Sequence, residues 1–382
     1  MKKKNKPGQH YLLNPKNIDI DVFEVGNLTE YECFRLISEL RWGDADKQVC
    51  PVLGCGLIDS HYLRKNKKQF RCKGCHTYFS PTSGTIFHQH KLPLKKILMA
   101  VYMYVTCENG VSVLRIRRQL RIGYRSAFAL LGKIRELHIY YQNTNTMHGN
   151  VEMDGGMFCG VFRRPARKRK LTDNQLTKMA EAAARKGKTN QRVYQTSFAN
   201  YKRLNERRTV IAIRLTAKEV GGIQTMVAVC NNENEKEAIK LLRFATDKNA
   251  VVQTDEAPAF ARLGTVYGYD HRTVNHSIEM ISPEGNNENQ AESYFSRLRR
   301  FVYGIGHRMS TTYLLDYAAE MAWREDFRRV TPLNKMRDIF QKMNHHGISR
   351  WWFGYSQGKQ RGREITVDQL LGILHSVRIQ RP

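Results

Sequence analysis

Hydrophobic residues follow two different spacings along this chain, and the change between them separates a helical first part from a strand-rich second part. Before residue 149 they recur every three or four positions, which predicts amphipathic helices. These helices span residues 28–42, with Thr29 as the N-cap, and residues 93–106, 111–120 and 125–141. From residue 149 onward, short runs rich in β-branched residues predict strands at 149–154, 209–216, 222–230 and 250–255.

The order of elements in the second part favours one fold. Three predicted strands are followed by a helix at 233–246, the strand at 250–255 and a possible fifth strand around 272–274. Two further helices are predicted at 287–302 and 311–329. This order is that of a ribonuclease-H-like α/β domain, in which the first and fourth strands lie side by side.

Three acids fall where such a fold would bring them together. Asp154 and Asp255 end the first and fourth predicted strands, and Glu292 lies on the 287–302 helix. Carboxylates from two neighbouring strands and a helix suit two Mg²⁺ ions, or Mn²⁺, about 3.5–4 Å apart, the arrangement used for in-line phosphoryl transfer. On the same helical face, Asn289 could orient a ligand or water, and Arg299 could bind a DNA phosphate.

Each acid also has a plainer interpretation. Asp255 could cap the turn that follows it, Asp154 could be a turn residue before two glycines, and Glu292 could be a solvated helix residue. Glu152 and Glu288 are near neighbours that could replace members of the set. Acids are scarce here, 35 against 63 Lys and Arg, so acids at strand ends favour the metal-site hypothesis.

Four of the eight cysteines form two close pairs. Cys50 and Cys55 are separated by four residues, and Cys72 and Cys75 by two. This set matches the ligands of a tetrahedral structural zinc site, and the alternating segment between the pairs predicts a zinc-ribbon hairpin. The first pair is longer than usual, and four buried cysteines without a shared role are the alternative.

The helices at 111–120 and 125–141 are joined by a short turn that contains Gly123. Helix, short turn and helix is the pattern of a helix-turn-helix, with a plain helical linker as the alternative. Four arginines flank the turn, where phosphate or base contacts would fall: Arg117, Arg118, Arg121 and Arg125.

The formal charge is +28 and the pI is about 9.9. A charge of this sign favours a polyanionic partner, with nucleic acid as the first candidate. A ribosomal or membrane-surface protein would also be basic.

The segment 163–208 holds 15 Lys and Arg residues, including Lys168, Arg169 and Lys170, against 3 acids. We interpret it as an arm that folds on DNA, with a surface loop as the alternative. Aromatic residues at 351–355 could stack on bases or, as we prefer, dock on the protein's own core or on a second subunit.

No secretory signal is evident in the basic first residues, and the longest apolar run, 97–105, is too short to span a bilayer. We therefore expect a cytoplasmic, nucleoid-associated protein with reduced thiols. The predicted domains of this multidomain α+β chain are an N-terminal segment at 1–48, a zinc ribbon at 49–90, a helix-turn-helix domain at 91–148, the ribonuclease-H-like domain at 149–335 and a C-terminal tail at 336–382.

The blocks VEMDGGMFCG (151–160), VVQTDEAPAF (251–260) and NQAESYFSRLRR (289–300), together with the cysteine pairs, carry a resemblance. From about residue 28 to 330 the chain resembles the zinc-ribbon DDE transposases of bacterial insertion sequences, the ISXO2-like group, to which the eukaryotic Merlin transposases are similar. It departs from their pattern at Gly155, where an acid is common, and at Phe295, where tryptophan is common.

The resemblance implies that Asp154, Asp255 and Glu292 are the metal-binding triad and that Arg299 takes the place of a common lysine. It implies cleavage at transposon ends that depends on Mg²⁺, followed by attack of the 3′-hydroxyl on target DNA. The basic modules would bind terminal inverted repeats, and a dimer or higher oligomer would pair two ends. The competing hypotheses are a catalytically inactive DNA-binding protein derived from a transposase and a nuclease that only hydrolyses.

Overall fold

The computed structural model describes residues 14, 17–159, 181, 207–217, 220–273, 289–306 and 309–380. Within these residues the first part holds five α-helices; the first of them was not predicted, and the other four begin and end close to their predicted positions. The five helices are α1 (Val22–Asn27), α2 (Glu30–Trp42), α3 (Leu94–Thr106), α4 (Val113–Leu120) and α5 (Tyr124–Tyr140). Thr29 caps α2 as predicted, because its hydroxyl accepts from the Glu32 N–H while the Glu32 carboxylate accepts from the Thr29 N–H.

The cysteine pairs lie on short strands beside α2. β1 (Gln48–Val49) pairs with β2 (Ile58–Asp59), and β3 (Tyr62–Arg64), β4 (Gln69–Arg71) and β5 (Tyr78–Phe79) form a three-stranded antiparallel sheet. Phe70 lies 5.0 Å, centroid to centroid, from Phe34 of α2, so the ribbon and the helices share one apolar core.

A five-stranded mixed sheet forms the second part. It consists of β6 (Asn150–Phe158), β7 (Arg208–Ala217), β8 (Gly221–Cys230), β9 (Val251–Thr254) and β10 (Asp270–Thr273), in the order β10-β9-β6-β7-β8. β6 pairs in parallel with β9, so the first and fourth strands are neighbours as predicted. β9 and β10 are also parallel, and turns over 258–267 connect them.

Three helices accompany this sheet: α6 (Glu235–Ala245), α7 (Asn289–Gly304) and α8 (Leu314–Asp326). Tyr294, Phe295 and Leu298 give α7 a fully buried side. α8 packs on both β8 and α5, and so joins the sheet to the helices of the first part. In the described part of the chain, no helix is both long enough and apolar enough to cross a membrane.

The segment after residue 330 holds two helices that the sequence analysis did not assign, α9 (Pro332–His346) and α10 (Val367–Gln380). α9 buries Met336 and Phe340 in the core of the first part, whereas Leu370 of α10 belongs to the core of the sheet. Between these helices Trp352 packs against Phe128 of α5, with 5.3 Å between ring centroids. The preferred interpretation of the 351–355 aromatics, docking on the protein itself, is therefore confirmed for Trp352.

Candidate active site

Asp154 lies on β6, and Asp255 directly follows β9, the parallel neighbour of β6. β6 and β9 pair in a register that places Glu152 opposite Gln253. Asp154 lies two residues further along β6, and Asp255 directly follows the last residue of β9, so the two acids lie at the same end of this strand pair. Asp255 also caps its turn, because its Oδ1 accepts a 3.0 Å hydrogen bond from the Ala257 N–H. The interpretation that Asp255 caps the following turn is therefore confirmed. The same hydrogen bond restrains the Asp255 side chain.

Glu292 and Arg299 lie on the exposed side of α7. The buried side holds α7 against β6, since the Phe295 and Phe158 rings lie 6.1 Å apart. Gly156 allows this close approach: a Cβ built there would lie 2.6 Å from the Phe295 ring. The Arg299 guanidinium lies 5.8 Å from the centroid of the Phe295 ring, on the side of α7 that faces the acids.

The electrostatics of Asp154 connect all the predicted acids. The pKa of Asp154 is raised to about 6, chiefly by burial, and the nearby charges of Asp255 and Glu292 contribute to the increase. The Gly155 N–H, which donates to Asp154 Oδ1 at 2.6 Å, and the charge of Arg299 act in the opposite direction. Asp255, Glu292 and Arg299 therefore lie close enough to Asp154 for their charges to act on its carboxylate.

These carboxylates are spread more widely than the ligands of one small ion. Among the described residues, only a cysteine set has three or more potential ligand atoms that all lie within 4.8 Å of one another. The structure thus brings Asp154, Asp255 and Glu292 into electrostatic contact without closing them around a single position.

Glu152 has a structural role at the start of α7. Its buried carboxylate accepts hydrogen bonds from the backbone N–H groups of Gln290 (2.8 Å) and Ala291 (2.9 Å). An anion at this position satisfies first-turn donors and the positive end of the helix dipole. The fully buried Arg214 donates to the Gln290 carbonyl from the other side. Glu152 is therefore engaged in positioning α7 rather than in replacing Asp154.

Some predicted residues lie outside the described part of the chain. These are Glu288, the side chain of Asn289, and Lys168, Arg169 and Lys170 of the basic segment, whose roles stay predictions.

Cys50, Cys55, Cys72 and Cys75 form the cysteine set. The Cys50 and Cys75 sulfurs lie 3.6 Å apart, and the Cys55 and Cys72 sulfurs 3.7 Å apart. Tetrahedral zinc with bonds of about 2.3 Å to sulfur requires about 3.8 Å between thiolates, so the set fits a structural zinc ion. The longer first pair is accommodated by a turn in which Gly54 adopts a positive φ of 83°.

Two family models match the chain. Residues 146–326 match the ISXO2-like transposase domain, and residues 28–78 match the transposase zinc-ribbon domain. The first match spans β6 to α8 and includes all three acids, and the second includes all four cysteines. The chain belongs to the ISXO2-like transposase family. No curated protein is significantly similar to it.

The arginines around the α4–α5 turn of this transposase are all exposed. Arg121 ends α4 in the left-handed conformation, with φ of 49°, and α5 begins three residues later. Only the first turn of α5 is open to solvent, at Tyr124 and Arg125, because from Ala127 onward the helix is largely buried. The solvent-exposed residues of this element thus lie on α4, in the turn and on the first turn of α5.

The transposase has a fourth acid beside the predicted three, and the sequence analysis did not single it out. Glu233 lies between β8 and α6, and a Cβ built on Gly155 would lie 2.1 Å from its Oε1. Burial raises the pKa of Glu233 to about 7, and the charges of Asp255 and Asp154 add to the effect. The available signal was weak: Glu233 is the first residue of the helix predicted at 233–246, three residues after the strand predicted at 222–230.

Proposed function

We propose that this chain is an active DNA transposase that cuts transposon ends and joins the freed 3′-hydroxyl to target DNA. The observation that supports this most strongly is the approach of Asp154, Asp255 and Glu292 from β6, β9 and α7, with electrostatic effects of Asp255 and Glu292 on Asp154. The family match adds the expectation of DNA as the substrate.

The catalytic domain is proposed to be ribonuclease-H-like. The strand order β10-β9-β6-β7-β8, with antiparallel β6, β7 and β8 and parallel β6, β9 and β10, supports this assignment. In this arrangement the acids of the first and fourth strands lie at the same end of the two neighbouring strands. The helix after the fifth strand adds the third acid.

Divalent cations, Mg²⁺ or Mn²⁺, suit this donor set. Carboxylate oxygens are their preferred ligands, and acids around two ions can stand farther apart than acids around one. Asp154, Asp255 and Glu292 would hold the ions, which when bound activate the attacking oxygen and stabilise the leaving oxygen of the phosphodiester. Arg299 would bind a phosphate of the DNA end, and Asn289 would orient a ligand or water.

DNA binding is proposed for three basic regions. The exposed Arg117, Arg118, Arg121 and Arg125 flank a helix-turn-helix arrangement that would contact the terminal inverted repeats. The ribbon and the basic segment at 163–208 would add phosphate contacts.

Two transposon ends have to be held together for strand transfer, so we propose a homodimer or higher oligomer that works in the cytoplasm, on the nucleoid.

A strand-transfer assay with purified protein, end DNA, target DNA and Mg²⁺ tests the proposal. Asp255→Asn should abolish joined products, whereas Asp270→Asn, an equal charge change on the neighbouring strand β10, should leave them unchanged. Equal product from Asp255→Asn and the unaltered protein would support the alternative of an inactive, transposase-derived DNA-binding protein. Cleaved ends without any joined product would support a nuclease that only hydrolyses.

A further inference from the structure

Glu233 occupies space that Gly155 leaves open. A side chain at position 155 would meet the Glu233 carboxyl group, because a Cβ there lies 2.1 Å from Oε1 and 2.7 Å from Cδ. Gly155 does not have a positive φ, so its backbone would accept other residues. The glycine is therefore required here for space, and the group that uses the space is a carboxylate next to Asp154.

Glu233 has no compensating partner within the described residues. Neither a hydrogen-bond donor nor a cation lies within bonding distance of its carboxylate, although the side chain is about half buried and faces Asp154 and Asp255. Some other buried acids of the described residues are neutralised directly by cations. Glu320, for example, accepts from Arg135 at 2.7 Å and from Arg324 at 2.8 Å.

An ionised carboxylate that is close to two other acids is unfavourable unless a proton or a cation offsets the repulsion. The segment 146–326, which matches the transposase domain, contains Glu233 together with Asp154, Asp255 and Glu292, so the fourth acid belongs to the same domain as the proposed cation site. Four carboxylates would supply more oxygen ligands for divalent ions than three carboxylates, and would enclose the ions more completely.

We propose that Glu233, held over Gly155, is a fourth carboxylate of the divalent-cation site. This inference rests on the proposed function, since it adds a residue to the same site. It assigns Glu233 to cation binding, directly or through a bound water, and it assigns Gly155 the role of leaving room for that carboxylate.

The test is Mn²⁺ binding to the full-length, zinc-loaded protein without DNA, measured by isothermal titration calorimetry. Glu233→Gln keeps the shape and removes the charge, and it should weaken Mn²⁺ binding by about tenfold or more. Glu237→Gln, one turn further along α6, is the matched control and should change the affinity by less than about twofold. Thermal unfolding in the absence of Mn²⁺ should show that both variants are folded.

A second pair of variants tests the geometry. Gly155→Ala should displace the Glu233 carboxylate and weaken Mn²⁺ binding to a similar extent. In a Glu233→Ala background the same Gly155→Ala change should have no further effect, because the clashing group is gone. Independent, additive effects of the two changes would contradict the proposed contact.

The outcomes separate this inference from the proposed function. If Asp154→Asn and Asp255→Asn lose Mn²⁺ binding while Glu233→Gln retains it, the fourth carboxylate is refuted and the three-acid site stands. If Asp154→Asn and Asp255→Asn also bind Mn²⁺ normally, both the proposed function and this inference are refuted.

Discussion

The carboxylate of Glu152 accepts a 2.9 Å hydrogen bond from the backbone N–H of Ala291. Each residue of this pair is close to a predicted catalytic acid: Asp154 follows Glu152 by two residues on β6, and Glu292 follows Ala291 directly on α7. The bond therefore sets the distance between a strand acid and the helix acid. A buried acid outside the predicted triad thus ties the strand of one predicted acid to the helix of another.

Replacement of Glu152 by alanine should disrupt this connection. Two first-turn N–H groups would lose their acceptor, and one buried unsatisfied donor costs about 1–3 kcal/mol, so we expect a destabilisation of about 2–4 kcal/mol in urea unfolding. Glu152→Gln retains an acceptor oxygen and should lose less. Hydrogen exchange at Gln290 and Ala291 is the direct measurement, and unchanged protection in Glu152→Ala would show that Glu152 does not hold α7.

Zinc removal should disturb more than the ribbon. Phe70 and Phe79 of the ribbon pack with Trp42 at the end of α2, with ring centroids 6.0 and 6.4 Å from it, so loss of the metal should loosen the first helices as well. We expect one zinc ion per chain by elemental analysis, and its loss in Cys72→Ser together with a lower unfolding temperature.

Cys107→Ser is the control for that experiment, because Cys107 lies at the end of α3 outside the cysteine set. It should retain a full equivalent of zinc. Zinc retained in Cys72→Ser as well would mean that the four thiols are not the ligands.

The exposed arginines of the α4–α5 turn should determine how strongly DNA binding depends on salt. Each phosphate contact contributes a slope of about −0.9 to a plot of log affinity against log salt concentration, so Arg118→Ala combined with Arg125→Ala should make the slope less negative by about 2. Lys248→Ala, at an exposed loop after α6, is the control and should leave the slope unchanged. An unaltered slope in the double variant would remove these arginines from the DNA interface.

Much of the catalytic part could be predicted from the sequence because its signals are local. The runs that end at Asp154 and Asp255 have strand periodicity, and the parallel pairing of the first and fourth strands followed from the order of elements. Glu233 was not predictable in the same way. Its carboxylate meets Gly155 only because the chain crosses from β8, at the sheet edge, back over β6, and local sequence does not encode that crossing.

The helix α9 illustrates a different limit. Met336, Ile339, Phe340 and Met343 are spaced as one apolar helical face, so the helix itself was available from the sequence. The partners against which this helix packs could not be predicted, because they are α2, α3 and α5, about 200–300 residues earlier in the chain. Periodicity indicates that a face is buried, but it does not identify the partner.

Asp326 predicts a pH dependence of stability. The carboxylate at the end of α8 accepts from the Thr225 N–H at 3.0 Å and from its hydroxyl at 2.7 Å, yet burial raises the pKa of Asp326 from 3.8 to about 7. Between about pH 4 and pH 7 the folded protein therefore binds a proton that the unfolded chain has released. The free energy of unfolding contributed by this group falls as the pH rises through that window, by no more than about 4 kcal/mol.

Asp326→Asn should remove this decrease in the free energy of unfolding at higher pH. An amide can accept from the Thr225 N–H and donate to the Thr225 hydroxyl without carrying a charge. We expect the variant to match the unaltered protein near pH 4 and to exceed its free energy of unfolding by an amount that grows up to about pH 8. Urea unfolding at a series of pH values measures the difference, and Asp368→Asn, at an exposed position of α10, controls for the loss of one negative charge. A stability difference that does not vary with pH would show that Asp326 is ionised in the folded protein throughout this range.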